Sequence, residues 1–217
     1  MTLLPIFLRL EGHCCLVVGA GTVALGKIES LRAAGAKIAV VAPEATARLR
    51  ELAAQGTVTW HERAFEAADL DGVFLVIAAT NAPDVNRAVY EEAVRRNVLC
   101  NAVDDPPNCD FYFGSVVTRG DLQIAISTSG ESPALAQRLR QEIDAQLPDD
   151  LGPWLSELGA LRREVRAATP AGEARNQLLH ELARRHLCGS PTCPTRDFAR
   201  QRISEITEAA RATEVSA

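Results

Sequence analysis

The sequence lacks long apolar runs, clusters of Lys and Arg residues, and a secretion signal. No stretch approaches the length that a bilayer-spanning helix needs, and the first five residues show neither the basic start nor the apolar middle of a signal peptide. The formal net charge is -5, whereas a nucleic-acid surface needs clustered positive charge to hold phosphates. We therefore expect a cytoplasmic protein with no membrane and no nucleic-acid partner.

Cysteine is also sparse, since six residues scattered over 217 are too few for a disulfide scaffold in a chain of this length. Cys14, Cys15 and Cys100 lie in apolar strand patterns, where packing in the core explains them. What the sequence does have is a hydrophobic fraction of 47%, which is ample for the core of one medium domain with a smaller companion.

The most informative stretch is LVVGAGTVALGK at 16–27, where an apolar run breaks into a glycine turn and a helical pattern follows at once. Gly19 allows a tight turn, Gly21 allows backbone N–H groups to approach a pyrophosphate, and Ala24 keeps the helix close to the sheet. The helix N-terminus would then face the phosphates with its positive dipole end. A tight turn without a ligand would also favour small residues. The predicted cofactor contacts in this turn are Gly19, Ala20, Gly21, Thr22 and Val23.

Apolar strand patterns alternate with helical patterns along the first half of the chain. Predicted strands cover 5–10, 14–18, 37–42, 58–61, 72–81 and 98–103, and predicted helices cover 22–34, 44–54 and 84–96. Strands and helices that alternate at these lengths form a doubly wound parallel sheet. We therefore predict an α/β fold in which residues 1–113 form a Rossmann-like dinucleotide-binding domain.

The ends of two predicted strands are places where side chains could contact a dinucleotide cofactor. A dinucleotide fold usually has Asp or Glu at the tip of the second strand to hold the adenosine ribose, but here the tip is apolar and Glu44 lies just beyond it. We favour Glu44 as a first-turn residue of the next helix over a ribose ligand. Thr80 and Asn81 emerge at the carboxyl edge of the sheet and are predicted cofactor neighbours. Capping of the helix that starts near Pro83 explains Asn81 about as well.

After residue 103 the pattern changes. An acidic, turn-rich break over 104–110 precedes two antiparallel strands, 111–117 and 122–127. Ser132 then caps, and Pro133 opens, a helix to about residue 147. Only helical patterns follow, over 151–168, 172–187 and 195–212. We expect a small α+β segment, 114–147, and a C-terminal helical domain, 148–217.

Asp104 is the residue most suited to chemistry. It directly follows a predicted strand, so it should project from the edge where the nicotinamide end of a dinucleotide would lie. A carboxylate there can remove the proton that is lost alongside a hydride. The alternative is a turn aspartate before two prolines, which composition by itself favours.

Several motifs agree with one another in order and spacing. They are PIF at 5–7, VGAGTVA at 18–24 with Lys27, AAT at 78–80, NAVD at 101–104 and ISTSGESPALA at 126–136. Together they resemble precorrin-2 dehydrogenase, the dehydrogenase/chelatase module of siroheme synthase, over about residues 1–165. The resemblance implies NAD-dependent oxidation of precorrin-2 to sirohydrochlorin and, in some members, insertion of Fe²⁺ to make siroheme. It also implies a homodimer whose interface is the segment 114–147.

The resemblance assigns roles to individual residues. Asp104 matches the catalytic aspartate of the family, and Thr128, with Ser129 beside it, falls in the serine-rich turn that lines the tetrapyrrole cleft. A tetrapyrrole carries many carboxylates and must meet local positive charge on a protein that is acidic overall. Arg119 and Arg138 are the predicted substrate contacts, and Arg140 is a further candidate. Solvated turn or helix charge explains each of these arginines as well.

A lone carboxylate can accept pyrrole protons, so Asp104 could serve a chelatase step without a resident metal. His180, His186, Cys188 and Cys193 are four potential ligands for a soft metal, but their spacing matches no standard zinc pattern, and we predict no metal site. The chain has no methyltransferase domain after the helical region, so we expect the stand-alone form of the enzyme. Two other functions stay open: an NAD-responsive regulatory module without turnover, and a dehydrogenase of an unrelated small acid.

Overall fold

The computed structural model describes residues 3–184 and 194–215, which fall into two compact units. The first unit comprises the chain up to Phe113 together with Ser129–Glu131. The second comprises Gly114–Thr128 and the chain from Ser132 onwards. A further division of the second unit at residue 147 stays a prediction.

The first unit is built on a five-stranded parallel sheet. Its strands are β1 (Cys14–Val18), β2 (Lys37–Val41), β3 (Thr59–His61), β4 (Leu75–Ala78) and β5 (Leu99–Ala102), in the order β3-β2-β1-β4-β5. The strand order reverses between β1 and β4, and open α/β sheets bind ligands beyond the carboxyl ends of the strands at such a switch point. The predicted doubly wound sheet is therefore confirmed.

Three helices cover the two faces of this sheet: α1 (Thr22–Ala33), α2 (Ala47–Ala54) and α3 (Pro83–Arg96). Val17 and Ile77 are fully buried in a cluster that includes apolar residues of α1 and α2. Leu16 and Val76 belong to a second cluster, with apolar residues of α3. Because successive side chains of a strand point to opposite faces, β1 and β4 must be apolar throughout to serve both clusters.

Two predicted elements of the first unit are wrong. Residues 5–10 form no strand, and Ile6 and Phe7 are exposed, because alternating apolar residues become a strand only where a sheet edge pairs with them. α2 begins at Ala47 rather than at residue 44. The reason is that Thr46 caps this helix, since its hydroxyl accepts a hydrogen bond from the Leu49 N–H at 3.4 Å.

The second unit begins with an antiparallel hairpin and continues as helices. Its elements are β6 (Ser115–Arg119), β7 (Leu122–Ile126), α4 (Pro133–Gln146), α5 (Leu151–Ala168), α6 (Glu173–Leu182) and α7 (Pro194–Val215). The predicted cap of α4 is confirmed, since the Ser132 hydroxyl accepts from the Leu135 N–H at 3.2 Å. The hairpin packs on α4, and α5, α6 and α7 enclose an apolar cluster of their own. Every helix in the described parts of the chain is too short or too polar to span a bilayer.

Candidate cofactor and catalytic site

Gly19 forms the turn between β1 and α1 in a conformation that glycine adopts most easily. Its φ is +108°, and its N–H donates a hydrogen bond to the Val41 carbonyl at 2.9 Å. A Cβ atom on Gly19 would lie 2.8 Å from the carbonyl carbon of Ala79 and closer still to its oxygen. The chain after β4 therefore lies directly against the turn after β1, and position 19 requires glycine for structural reasons.

Gly21 faces open space, whereas Gly19 is crowded by Ala79. It is the N-cap residue of α1, and a Cβ atom built on it would meet no atom within 4 Å. Gly21 has no side chain with which to cap the helix, and the first turn of α1 contains no acidic residue. The first N–H groups of α1 therefore stay available to a ligand. An uncapped helix N-terminus beside open space fits the pyrophosphate of a dinucleotide, which such termini bind through N–H groups and the helix dipole.

A cavity of about 660 Å³ opens in front of this turn. That volume lies within the range of roughly 300–1,000 Å³ that is usual for small-molecule sites. Five of the predicted cofactor contacts line it, namely Gly19, Ala20, Gly21, Thr80 and Asn81. Thr22 and Val23 are not among the lining residues and form the start of α1. The structure therefore brings the glycine turn and the end of β4 together around one space.

Glu44 lines the same cavity just beyond the end of β2, beside Pro43. The prediction that it belongs to the first turn of α2 is wrong, because that helix starts at Ala47. Its exposed carboxylate stands instead beyond the second strand, where a dinucleotide fold holds the adenosine ribose. The sequence favoured the helix because a carboxylate shortly before a helical pattern usually lies in its first turn.

Thr80 and Asn81 contribute differently to this cavity. The Thr80 hydroxyl donates to Asn86 Oδ1 at 2.7 Å and accepts from the Ala82 N–H at 3.1 Å, so its proton is already engaged within the protein. The alternative role of Asn81 as a helix cap is wrong, because the N-cap of α3 is Ala82 and no side chain of that residue caps the helix. Asn81 is exposed at the cavity.

Asp104 lies at the same edge of the sheet, after β5. Ala102 of β5 pairs with Ala78 of β4. Asp104 and Thr80 each come two residues after their member of this pair, so both leave the sheet at the same edge. Asp104 has a φ of +60°, a left-handed conformation that aspartate tolerates better than most residues. Its side chain is exposed and makes no hydrogen bond or ion pair with any described residue, and it is not part of the cavity lining. The carboxylate is therefore free to act on a molecule from outside.

The neighbouring carboxylates are engaged in the turn itself. Asp105 Oδ2 accepts a hydrogen bond from Asn108 Nδ2 at 2.6 Å, and Asp110 Oδ2 accepts one from the Cys100 N–H at 2.9 Å. These bonds fix the segment after β5. Of the acidic residues in this break, Asp104 is the one whose carboxylate the turn does not use.

Lys27 and Phe113 form a pair that the sequence did not predict. The Lys27 Nζ lies 3.8 Å from the centroid of the Phe113 ring, a cation–π contact. Burial lowers the pKa of Lys27, and the charge of Asp104 opposes that shift, so the ammonium and the carboxylate are electrostatic neighbours. The sequence marks Lys27 as part of the glycine motif. Its neighbours, Phe113 and Asp104, lie far along the chain, so no local pattern could predict these contacts.

The predicted substrate contacts in the turn before α4 belong to both units. Thr128, in the second unit, accepts a hydrogen bond on its hydroxyl from the Ser132 N–H at 3.2 Å. Ser129, in the first unit, has a φ of +52°, and Gly130 after it has a φ of +87°. Two successive left-handed residues fix a sharp turn between β7 and α4.

Arg119 and Arg138, both in the second unit, have different surroundings. Arg119 Nη1 pairs with Asp144 Oδ1 at 2.7 Å, and its Nη2 donates to the Asp144 carbonyl at 3.0 Å, which ties the end of β6 to α4. Its side chain is mostly buried. Arg138 is 75% exposed and pairs with Glu142 one helical turn away at 2.7 Å. Arg138 can therefore turn towards a ligand at little cost, whereas the Arg119 guanidinium is engaged between β6 and α4.

The potential soft-metal ligands of the tail are only partly described. His180 lies in α6, and His186, Cys188 and Cys193 lie outside the described residues. Within residues 3–184 and 194–215, no three His, Cys, Asp or Glu side chains stand close enough together to hold a metal ion. Cys15 and Cys100 are fully buried in the apolar clusters, so packing in the core is confirmed for them.

The chain is similar to several known proteins. A family model described as putative NAD(P)-binding matches residues 6–115, and a model described as sirohaem biosynthesis protein central matches residues 119–146. Siroheme synthase 1 of Serratia proteamaculans is 44% identical over 176 residues, which are 81% of this chain and 37% of that protein. Siroheme synthase 1 of Cronobacter sakazakii is 47% identical over 162 residues, 75% of this chain and 34% of that protein.

A solved structure described as SirC, precorrin-2 dehydrogenase has a TM-score of 0.78 and 27% sequence identity, and the match covers 92% of this chain and 98% of that one. The chain spans between a third and two fifths of the length of the two siroheme synthases. The likeness to the solved structure, by contrast, extends over nearly all of both chains.

Proposed function

The chain belongs to the NAD(P)-binding family whose model matches residues 6–115, and on that premise we propose that it is an NAD-dependent dehydrogenase that oxidises precorrin-2 to sirohydrochlorin in siroheme biosynthesis. The observation that carries the proposal is one sheet edge that presents both an uncapped helix N-terminus after Gly21 and the carboxylate of Asp104, which makes no hydrogen bond or ion pair with a described residue. A nucleotide-binding turn by itself occurs in proteins of many functions. A carboxylate at the same sheet edge favours an enzyme that also transfers a proton.

Each part of the cavity has a proposed task toward the cofactor. The N–H groups at the start of α1, with Gly21 leaving room, would hold the pyrophosphate. Glu44 would accept hydrogen bonds from the adenosine ribose hydroxyls, and its charge would repel a 2′-phosphate, so we propose NAD rather than NADP. When bound, NAD supplies the acceptor for a hydride. The protein has to supply the place for the proton.

Asp104 is the proposed proton acceptor. Oxidation removes a hydride and a proton from the substrate, and an exposed carboxylate without a hydrogen-bond partner in the described chain can receive that proton. Lys27 places a positive charge in the same neighbourhood, held against the Phe113 ring. The left-handed backbone at Asp104 is a strained conformation of the kind that clusters at functional sites.

For the tetrapyrrole we propose contacts with Thr128, Ser129 and Arg138, and a structural role for Arg119. Fe²⁺ insertion into sirohydrochlorin is the second candidate function. The observation that favours it is again Asp104, whose carboxylate makes no hydrogen bond with a described residue and can accept pyrrole protons when Fe²⁺ is the second substrate. A cytoplasmic location stays a prediction from the sequence.

We also propose a homodimer formed through the hairpin. The two-stranded sheet β6–β7 leaves both of its edges unpaired within the described chain, and Val116 and Leu135 are exposed by 45% and 47%. A two-stranded sheet is stable only when it packs against something more, and one face of this hairpin already lies on α4. Sedimentation equilibrium should give twice the chain mass, and a lone subunit at micromolar concentration would contradict the dimer.

The proposed function is tested by incubating the protein with precorrin-2 and NAD or NADP and following the absorption spectrum of sirohydrochlorin. We expect formation of sirohydrochlorin with NAD and much less with NADP. Fe²⁺ is then added to sirohydrochlorin to test the chelatase step separately. Binding of NAD with no turnover would favour the regulatory module instead, and turnover of small hydroxy acids would favour an unrelated dehydrogenase.

Replacement of the two arginines should have different effects. Arg119→Ala removes a mostly buried ion pair and should lower the free energy of unfolding by about 1–2 kcal/mol. Arg138→Ala removes an exposed pair and should change it by less than about 0.5 kcal/mol. Arg138→Ala should instead raise the KM for precorrin-2 with little change in the KM for NAD. Urea denaturation and steady-state kinetics measure both effects, and an unchanged KM would remove Arg138 from the site.

A further inference from the structure

Asn86 is a buried asparagine next to the cavity. It lies near the start of α3 and is 6% exposed. An amide buried without hydrogen bonds costs about 1–3 kcal/mol, so a polar residue here must be used by the fold or by the site. The cofactor contacts proposed above do not include it.

All of the hydrogen bonds of the Asn86 side chain within the described chain go to one residue. Its Nδ2 donates to the Thr80 carbonyl at 3.1 Å. Its Oδ1 accepts from the Thr80 N–H at 3.2 Å and from the Thr80 hydroxyl at 2.7 Å. The amide therefore holds the backbone and the side chain of Thr80 at once, and we call this arrangement the Asn86–Thr80 clasp.

The clasp lies just beyond the end of β4, where the hydrogen bonds of the sheet stop. β4 ends at Ala78, and the N–H of Ala79 still reaches the Val18 carbonyl at 2.8 Å. Thr80 is one residue further along the chain. Its N–H and its carbonyl form hydrogen bonds with the Asn86 side chain instead of with a neighbouring strand. Backbone groups that lose their ladder partners need others, and here one side-chain amide satisfies both.

The segment that the clasp fixes is also the one that lies against the glycine turn. Ala79 immediately precedes Thr80, and its carbonyl is the group that a Cβ on Gly19 would overlap. Gly19, Ala79 and Thr80 all line the cavity. Holding Thr80 in place therefore holds the wall that shapes the phosphate-binding turn, although Asn86 itself is not a lining residue.

We propose that Asn86 is a positioning residue for the dinucleotide: its clasp on Thr80 holds residues 79 and 80 against Gly19 and keeps the cavity in the form that binds the cofactor. The inference rests on the proposed NAD-dependent function. Its physical basis is preorganisation, since a wall that is already ordered need not lose conformational freedom when the ligand binds. Asn86 then affects affinity for NAD without touching it.

The test compares two variants of Asn86 with a matched control. Asn86→Leu keeps the size of the side chain and removes all three bonds, and Asn86→Asp keeps the acceptor oxygen and loses the donor. The control is Thr169→Val, because Thr169 is equally buried at 6% exposure and its hydroxyl donates to the Val165 carbonyl at 2.6 Å within the second unit. Each protein is measured for NAD affinity by calorimetry, for its thermal midpoint without NAD, and for amide exchange of the peptide 79–82.

We expect Asn86→Leu to weaken NAD binding by about tenfold, which corresponds to the net contribution of about one of its three hydrogen bonds. The affinity of Asn86→Asp should fall between that of Asn86→Leu and that of the unchanged chain. Exchange of peptide 79–82 should become faster, kcat at saturating NAD should stay nearly the same, and the KM for NAD should rise. Thr169→Val should lower the thermal midpoint but leave NAD affinity unchanged.

NAD affinity equal to that of the unchanged chain in either Asn86 variant would overturn the positioning role, even if the variant were less stable. If Asn86→Leu does not fold, Asn86→Asp decides the question by the same measurement. If the unchanged chain itself binds no NAD, the proposed function fails and the inference fails with it. A loss confined to the Asn86 variants supports both.

Discussion

Replacing Asp104 with Asn is expected to stop oxidation of precorrin-2 and to leave the affinity for NAD unchanged. Of the three carboxylates in the acidic break, this is the only one without a hydrogen bond to a described residue, so it is the one best placed to take a proton. Loss of a general base of this kind lowers kcat by about 10²- to 10⁴-fold. Asparagine matches aspartate in size and tolerates the left-handed backbone at this position, so the fold should persist.

The measurement is kcat from the sirohydrochlorin spectrum, with NAD affinity determined separately by calorimetry. Asp105→Asn is the matched control, because it removes a neighbouring carboxylate whose partner, Asn108, can still bond to the amide oxygen. We expect near-normal turnover in that control. Full activity of Asp104→Asn would defeat the assignment of the base. Fe²⁺ insertion by the same variant would show whether the two reactions share this residue.

Gly19→Ala should lose both stability and NAD binding. The new Cβ would have to share space with the carbonyl group of Ala79, and the backbone φ of +108° is strained for any residue with a side chain. The two effects together should lower the free energy of unfolding by about 2–4 kcal/mol. Because the clash displaces the cavity wall, NAD binding should become too weak to measure.

Gly21→Ala is the control that separates the two glycines. Its Cβ points into open space on an ordinary backbone, but alanine is a poorer N-cap residue than glycine, so the free energy of unfolding should fall by only about 0.5–1 kcal/mol. NAD binding should nevertheless weaken, because the methyl group occupies the space through which the pyrophosphate approaches. Denaturation and calorimetry on both variants give the comparison. Wild-type stability of Gly19→Ala, or unchanged NAD affinity of Gly21→Ala, would contradict this account of the turn.

Local patterns predicted the elements well where the signal was local. The Ser132 cap, Pro133 at the start of α4 and the span of α5 from Leu151 to Ala168 are all confirmed, since caps and helical periods depend on residues within a few positions of one another. The same reasoning was wrong for residues 5–10 and for Glu44. A strand needs a partner from elsewhere, and a helix can begin later when a better cap, here Thr46, is available.

The sequence by itself determined the parallel sheet, the glycine turn and the place of Asp104 after a strand, because each follows from the spacing of apolar and small residues along a short stretch. Only the tertiary structure decided that Ala79 forbids a side chain at position 19, that Lys27 stands near Asp104, and that Asn86 holds Thr80. These relations join residues far apart in the chain or across a turn. They depend on which individual side chains meet when the strands and helices pack, and the apolar periodicity of the sequence does not specify those pairs.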